Sequence, residues 1–149
     1  MENLQGKAAT KRLIKEHFTE IGDLLYFEGA LMTLFKNNNN NHLYLFDWAE
    51  GDEKYNRWLV YDVKSIDILS YINCELTHLN LIKKSKDIYS VDIDAEFNFN
   101  NSYKIEFSSI PQSYLPAEHC IFDLIDCPDF KKIQAFLDKI LVLQAVQLF

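Results

Sequence analysis

The chain has 149 residues, the length of one ordinary domain, with 48% apolar and 25% charged residues and a net charge of −7. That balance excludes a disordered chain, and the acidic body argues against general binding to DNA or RNA, whose affinity rests on cations neutralising phosphates. Three cysteines make no disulfide framework, and no run of about eighteen apolar residues marks a membrane span.

The start, MENLQGKAATKRLIKEHF, has no apolar core of a secretory signal, so the expectation is a cytoplasmic protein with free thiols. Ala8 to Glu20 predicts a helix, with Leu13, Ile14, His17, Phe18 and Ile21 at helical spacing and Gly22 as its stop. Leu24 to Lys36 is a β-like run in which Gly29 marks a bulge or bend. Asn37 to Asn41 predicts a hairpin loop, because Asn tolerates positive φ and bonds its own backbone. His42 to Trp48 is the return strand, Ala49 to Asn56 a polar turn, and Arg57 to Val63 a third antiparallel strand.

Ser65 predicts the N-cap of a short helix whose inner face is Ile66, Leu69 and Ile72, or Ile68 and Ile72. A second helical piece spans Thr77 to Lys84. Asp87 to Asp94 and Ser102 to Ile110 read as strands, with Tyr103, Ile105 and Phe107 on one face. Ile121 to Ile125 reads as a short apolar strand. Pro128 suits the first helical position of a C-terminal helix running from about Asp129 towards Gln147. Four glycines and three prolines are few, so long structureless loops are not expected. The predicted fold is a single α+β domain over 1–149, with an antiparallel sheet of about five or six strands. An N-terminal helix (1–22) precedes a strand-rich core with short middle helices (23–127), and an apolar C-terminal helix (128–149) follows.

Chemistry is sparse. Cys74 and His78 lie at i, i+4, and His119, Cys120 and Cys127 follow later. Structural zinc draws on two close ligand pairs, whereas adjacent His119 and Cys120 point apart if extended; buried thiols are the simpler reading. A Cys–His nucleophile pair lacks the Gly-rich or helix-start setting that lowers a thiol pKa. Asp92, Asp94 and Glu96 share one face of a strand and form a candidate site for a hard cation, although in/out alternation with Val91, Ile93, Ala95 and Phe97 also explains them. The acids near Lys54 and Arg57 read as a solvated turn. Trp48 and Trp58 lie on adjacent strands, where paired aromatics stabilise a sheet. No P-loop, GxGxxG, GxSxG or HExxH occurs, no catalytic residue is assigned and no cofactor is expected. The C-terminal stretch FLDKILVLQAVQLF is apolar on more than one face, which makes Phe136, Ile140, Leu143, Val146 and Phe149 a candidate interface.

The ordered series YFEGALMTLFKN, HLYLFDWAE, RWLVYDV, ILSYINCELTHL, DIYSVDID and IPQSYLPAEHCIFDL resembles a family of uncharacterised small bacterial domains over roughly residues 24–126. The enlarged asparagine loop departs from that pattern. The resemblance supplies no catalytic residues. Small bacterial domains of this kind often accompany larger effectors as immunity or antiphage-defence components. The function expected is therefore a non-enzymatic protein-interaction module that binds a protein partner or a second copy through its C-terminal helix, with neither nucleic acid nor membrane as a direct partner. The alternatives are a small metal-dependent enzyme on the acidic strand face and an acidic nucleic-acid mimic.

Overall fold

The computed structural model describes residues 17–96 and 98–147, with side chains as far as Leu143. Alternating apolar and polar side chains build six strands: β1 (Phe18–Tyr26), β2 (Ala30–Asn37), β3 (Leu43–Gly51), β4 (Tyr55–Val63), β5 (Ile88–Asp94) and β6 (Phe99–Lys104). They lie side by side in chain order, each antiparallel to the next. Helices α1 (Ser65–Ile72) and α2 (His78–Lys83) fill the connection from β4 to β5, and α3 (Phe130–Gln147) ends the fold. The protein is thus α+β, with a six-stranded antiparallel sheet.

The register sets the two faces. Leu45 stands opposite both Leu34 and Tyr61, and Asp47 opposite both Met32 and Leu59. Met32, Leu34, Leu45, Leu59 and Tyr61 therefore share one face. They pack beneath Ile68, Leu81, Ile82, Ile133 and Leu137 from the helices, each of these ten residues at most 1% exposed. The other face carries a second cluster, with Phe46, Val60, Val91, Ile93 and Phe99 buried and Phe18, Phe35, Tyr44, Trp58 and Tyr89 packed against them.

Local chemistry explains the turns. Asn41 takes φ +61°, while the Asn37 and Asn40 side chains accept from the backbone N–H groups of Asn39 and His42. After α1, Cys74 adopts φ +59°; its N–H donates to the Tyr71 carbonyl and that of Glu75 to the Ser70 carbonyl. This is a Schellman cap with cysteine where glycine is usual. The Thr77 hydroxyl accepts from Asn80 N–H and starts α2.

Several expectations need correction. Residues 1–16 lie outside the described residues, so only the end of the expected helix Ala8–Glu20 can be placed. Phe18, Thr19 and Glu20 belong to β1, paired with Asn37, Lys36 and Phe35. The Phe18 ring meets Phe35, Tyr44 and Phe46 edge-on, so tertiary pairing overrides the helical periodicity. Gly22 lies inside that strand. Lys64, not Ser65, occupies the N-cap of α1 and makes no side-chain cap bond; Ile68 and Ile72 face inward while Ile66 is exposed. The last strand covers Phe99–Lys104, and Phe107–Ser109 turn in a 3₁₀ helix. Ile121–Ile125 is not a strand: the Asp123 side chain accepts from Ile125 N–H and bends Leu124–Asp126 into a 3₁₀ turn. From Ile105 to Asp129 the chain holds only 3₁₀ turns, a longer irregular stretch than the glycine and proline content suggested.

Gly22 sets how closely α3 approaches β1. A Cβ there would lie 2.8 Å from Asp129 Cβ and 3.0 Å from Ile133 Cγ1. Asp129 also accepts Asp23 N–H at 2.8 Å, so it has little freedom to move away. Gly22→Ala should therefore destabilise the fold by about 1–3 kcal/mol, read as a lower urea midpoint at unchanged slope.

Candidate interaction surface and buried polar networks

Helix α3 has two regimes. In its first turns, Ile133 and Leu137 enter the core while Lys131, Lys132, Asp138 and Lys139 face solvent. Further along, Val142 is 62% and Leu143 55% exposed, so apolar side chains leave the inner stripe. Ile140 reaches a groove of about 410 Å³ walled by Leu43, Val63 and Ile66, and Ile66 is itself 53% exposed. Phe136 packs against the chain's own core. Of the candidate interface residues, Ile140 and Leu143 thus lie at or beside an open surface, Phe136 lies inward, and Val146 and Phe149 fall outside the described side chains.

The cation candidates part company. Asp92 is buried, and Arg57 grips both its oxygens, Nε to Oδ1 at 2.7 Å and Nη2 to Oδ2 at 3.1 Å. Asp94 Oδ1 accepts from the backbone N–H groups of Glu96 and Asn98, which holds its carboxyl below the usual range; the Asn98 backbone bond contributes most. Glu96 is exposed on the β5–β6 turn. Among the described residues no group of three or more His, Cys, Asp or Glu side chains is placed to hold a metal ion.

Arg57 departs from the solvated-turn expectation. Its Nη1 donates to Glu50 Oε1 at 3.1 Å and to the Tyr114 hydroxyl at 2.9 Å, and that hydroxyl donates to Glu50 Oε1 at 2.8 Å. The hydrogen bonds to Asp92 first, then Tyr114, raise the guanidinium pKa further. The SYLP loop is thereby tied to strands β3, β4 and β5. Asp52 does form a local turn, accepting from Lys54 and Tyr55 N–H. Trp48 and Trp58 stand directly opposite each other, and Trp48 Nε1 donates to Asn56 Oδ1 at 3.0 Å.

The cysteines and histidines meet in part, through the backbone. His78 N–H donates to the Cys120 carbonyl at 3.0 Å and Cys74 Sγ to the Phe122 carbonyl at 3.4 Å. Cys127 Sγ donates to the Asp23 carbonyl at 3.4 Å. His119 is exposed. The His78 ring turns the other way, into a network that the motif search missed. Its Nε2 lies 2.5 Å from Asp47 Oδ2, which also accepts the Tyr61 hydroxyl at 2.9 Å. A carboxylate only accepts, so Nε2 carries a proton. All three residues are buried, and burial followed by the Asp47 charge pushes the Tyr61 phenol pKa well up. The available signal was alternation: Leu43, Leu45 and Asp47 point the same way, so Asp47 needs an inward partner.

Two outcomes follow from this geometry. Asp47→Ala leaves the Tyr61 hydroxyl and His78 Nε2 without their shared acceptor in the core and should destabilise the fold by about 3–5 kcal/mol in urea melts, with Asp47→Asn losing clearly less. Burial pushes the Cys127 thiol up to about 11, whereas Cys74 and Cys120 are exposed. Cys127 therefore remains a thiol at pH 8, and iodoacetamide on the native protein should label Cys74 and Cys120 first, with Cys127 reacting at their rate only after denaturation, as read by peptide mass spectrometry. No helix among the described residues is long and apolar enough to cross a membrane. No protein-family model, curated protein or solved structure matches the chain.

Proposed function

We propose that the chain is a non-enzymatic protein-interaction module whose contact surface joins the outer side of α3 to the start of α1. The observation that carries this reading is the exposure of Val142 and Leu143 near the end of a helix whose earlier turns are conventionally amphipathic. Exposed Ile66 adds apolar surface on α1, beside a groove where Val63 and Ile140 meet the polar residues Asn41, His42, Asp62, Lys64 and Ser65. Covering such side chains gains roughly 25 cal/mol per Å² of apolar area, so a partner with an apolar ridge has a clear driving force. The resemblance to small bacterial domains supports a role as an accessory or immunity component beside a larger effector of a defence or toxin system. Self-association through the same surface is compatible with it.

The test pairs sedimentation velocity of the chain alone with a binding titration against the purified product of the adjacent gene. The wild type should form one of these two complexes. The double substitution Val142→Glu, Leu143→Glu should weaken it at least about tenfold, because two apolar contacts of about 1–2 kcal/mol each are replaced by buried charge. Its thermal midpoint should stay within a few degrees of wild type. A strictly monomeric wild type with no affinity for that product, or a complex indifferent to the double substitution, overturns the reading.

A further inference from the structure

The two faces of the sheet are unequally covered. Among the described residues, every helix side chain in the buried core belongs to the cluster beneath the helices. The cluster on the opposite face is built from strand residues alone, and Phe18, Phe35, Tyr44, Trp58 and Tyr89 are only partly buried there. A sheet that is apolar on both faces calls for a layer on each. Ser102 gives a second, independent sign. It stands opposite Val91 on this face, is 3% exposed, and its hydroxyl has no hydrogen-bond partner among the described residues. A buried hydroxyl in that state points to a further polar group over the face.

Where the chain enters indicates the occupant. Residues 1–16 precede β1, whose first residue, Phe18, sets its ring on this face against Phe35, Tyr44 and Phe46. The segment is therefore delivered to the rim of the face with His17 alone between. From Phe18 a path across the strands meets Tyr44, then Val60 and Asp62, then Tyr89, then Ser102 and Lys104, as the register aligns them. Five strand spacings of about 4.8 Å make roughly 24 Å in a flat sheet, and less in one that bends. Sixteen residues reach about 24 Å even at the helical rise of about 1.5 Å each, so the segment is long enough to cross.

Its chemistry also fits. Leu13 and Ile14 supply apolar side chains close to the point of entry, and Lys7, Lys11, Arg12 and Lys15 occur with no acid among residues 7–15. The segment holds four of the chain's 15 cations and two of its 22 acids, so the remaining residues carry a net −9. Two of those acids meet at this end of the face. Asp62 stands opposite Tyr44, and its Oδ1 accepts Asp87 N–H at 2.8 Å. Opposite net charges draw the segment and the body together even where single carboxylates already have partners.

We propose that residues 1–16 are the second layer of this face, with Leu13 and Ile14 laid against its aromatic rings and the lysines turned towards Asp62 and Asp87. The face is then internal to the chain, covered by neither a ligand nor a second copy. It lies on the opposite side of the sheet from the core that α3 covers, and it stands or falls independently of the interaction surface.

The experiment treats the full chain with a water-soluble carbodiimide, which joins a lysine amine to a carboxylate in contact with it, and identifies the linked peptides by mass spectrometry. The Lys104–Asp87 ion pair, at 2.8 Å, is the internal control. Lys7, Lys11 or Lys15 should link to Asp62 or Asp87. In a mixture of isotope-labelled and unlabelled chains, these links should join peptides of the same chain only. Leu13→Asp with Ile14→Asp should abolish them, keep the control link, and raise the fluorescence of added anilinonaphthalene sulfonate as apolar surface is uncovered. Val142→Glu with Leu143→Glu should leave them in place. If the substitutions at Leu13 and Ile14 lose the control link as well, Leu13→Ser alone is read instead. Absence of the links in the wild type, links between labelled and unlabelled chains, as a second copy on the face would give, or links indifferent to the substitutions at Leu13 and Ile14 overturn the proposal.

Discussion

Asp47 holds a carboxylate beneath the helices in the middle of the sheet, and both layers converge on it. The Tyr61 hydroxyl comes from the neighbouring strand and the His78 imidazole from α2, and both reach the same oxygen. Removing a carboxylate from water costs several kcal/mol unless donors replace the lost hydration. Two donors in fixed positions do so here. They also remove alternatives: α2 cannot slide along the sheet without stranding the charge. His78 passes the constraint on, because its N–H binds the Cys120 carbonyl and so locates the irregular crossover towards α3. An apolar trio of similar volume could match the stability, but it would select this arrangement less sharply.

Arg57 repeats the device near the end of the same face. Two carboxylates and a phenol surround it, drawn from β3, β5 and the loop at Tyr114. The two networks together explain how a long crossover with little regular structure keeps a fixed course. Its anchors are the Tyr114 hydroxyl on Arg57 and Glu50, the Cys120 carbonyl on the His78 backbone N–H and the Phe122 carbonyl on the Cys74 thiol, where a strand ladder is lacking.

Most of the sheet was legible in the sequence because its signals are local. Leu43, Leu45 and Asp47 alternate cleanly, the asparagines code for their own turn, and Gly29 does separate two strands. Phe18–Glu20 misled because their apolar spacing fits a helix equally well; partners at Phe35 and Tyr44, distant in sequence, decided the outcome. Ile121–Ile125 misled because apolar content implied burial, whereas Ile125 is 90% exposed and a single aspartate side chain sets the turn. The cysteines and histidines drew attention through spacing, yet what links them is mainly backbone carbonyls. Asp92 looked like one of three acids on a solvent face; only the pairing of β4 with β5 reveals Arg57 beside it. Polar networks across strands are invisible to periodicity, since a motif search weighs neighbours along the chain.

The order of the strands carries a consequence for how the chain folds. Each strand pairs only with its predecessor and successor, so most of the sheet can assemble through short loop closures whose entropic cost is small. The helical insert between β4 and β5 lengthens one such closure modestly. The large closure is the last, in which α3 returns to β1 and seats Ile133 against Gly22, joining opposite ends of the described chain. Docking of α3 is thus the step with the greatest sequence separation. Until it occurs, β1 is an unprotected edge and the apolar stripe of α3 stays in water, so the interval before docking is when the chain is most prone to self-association.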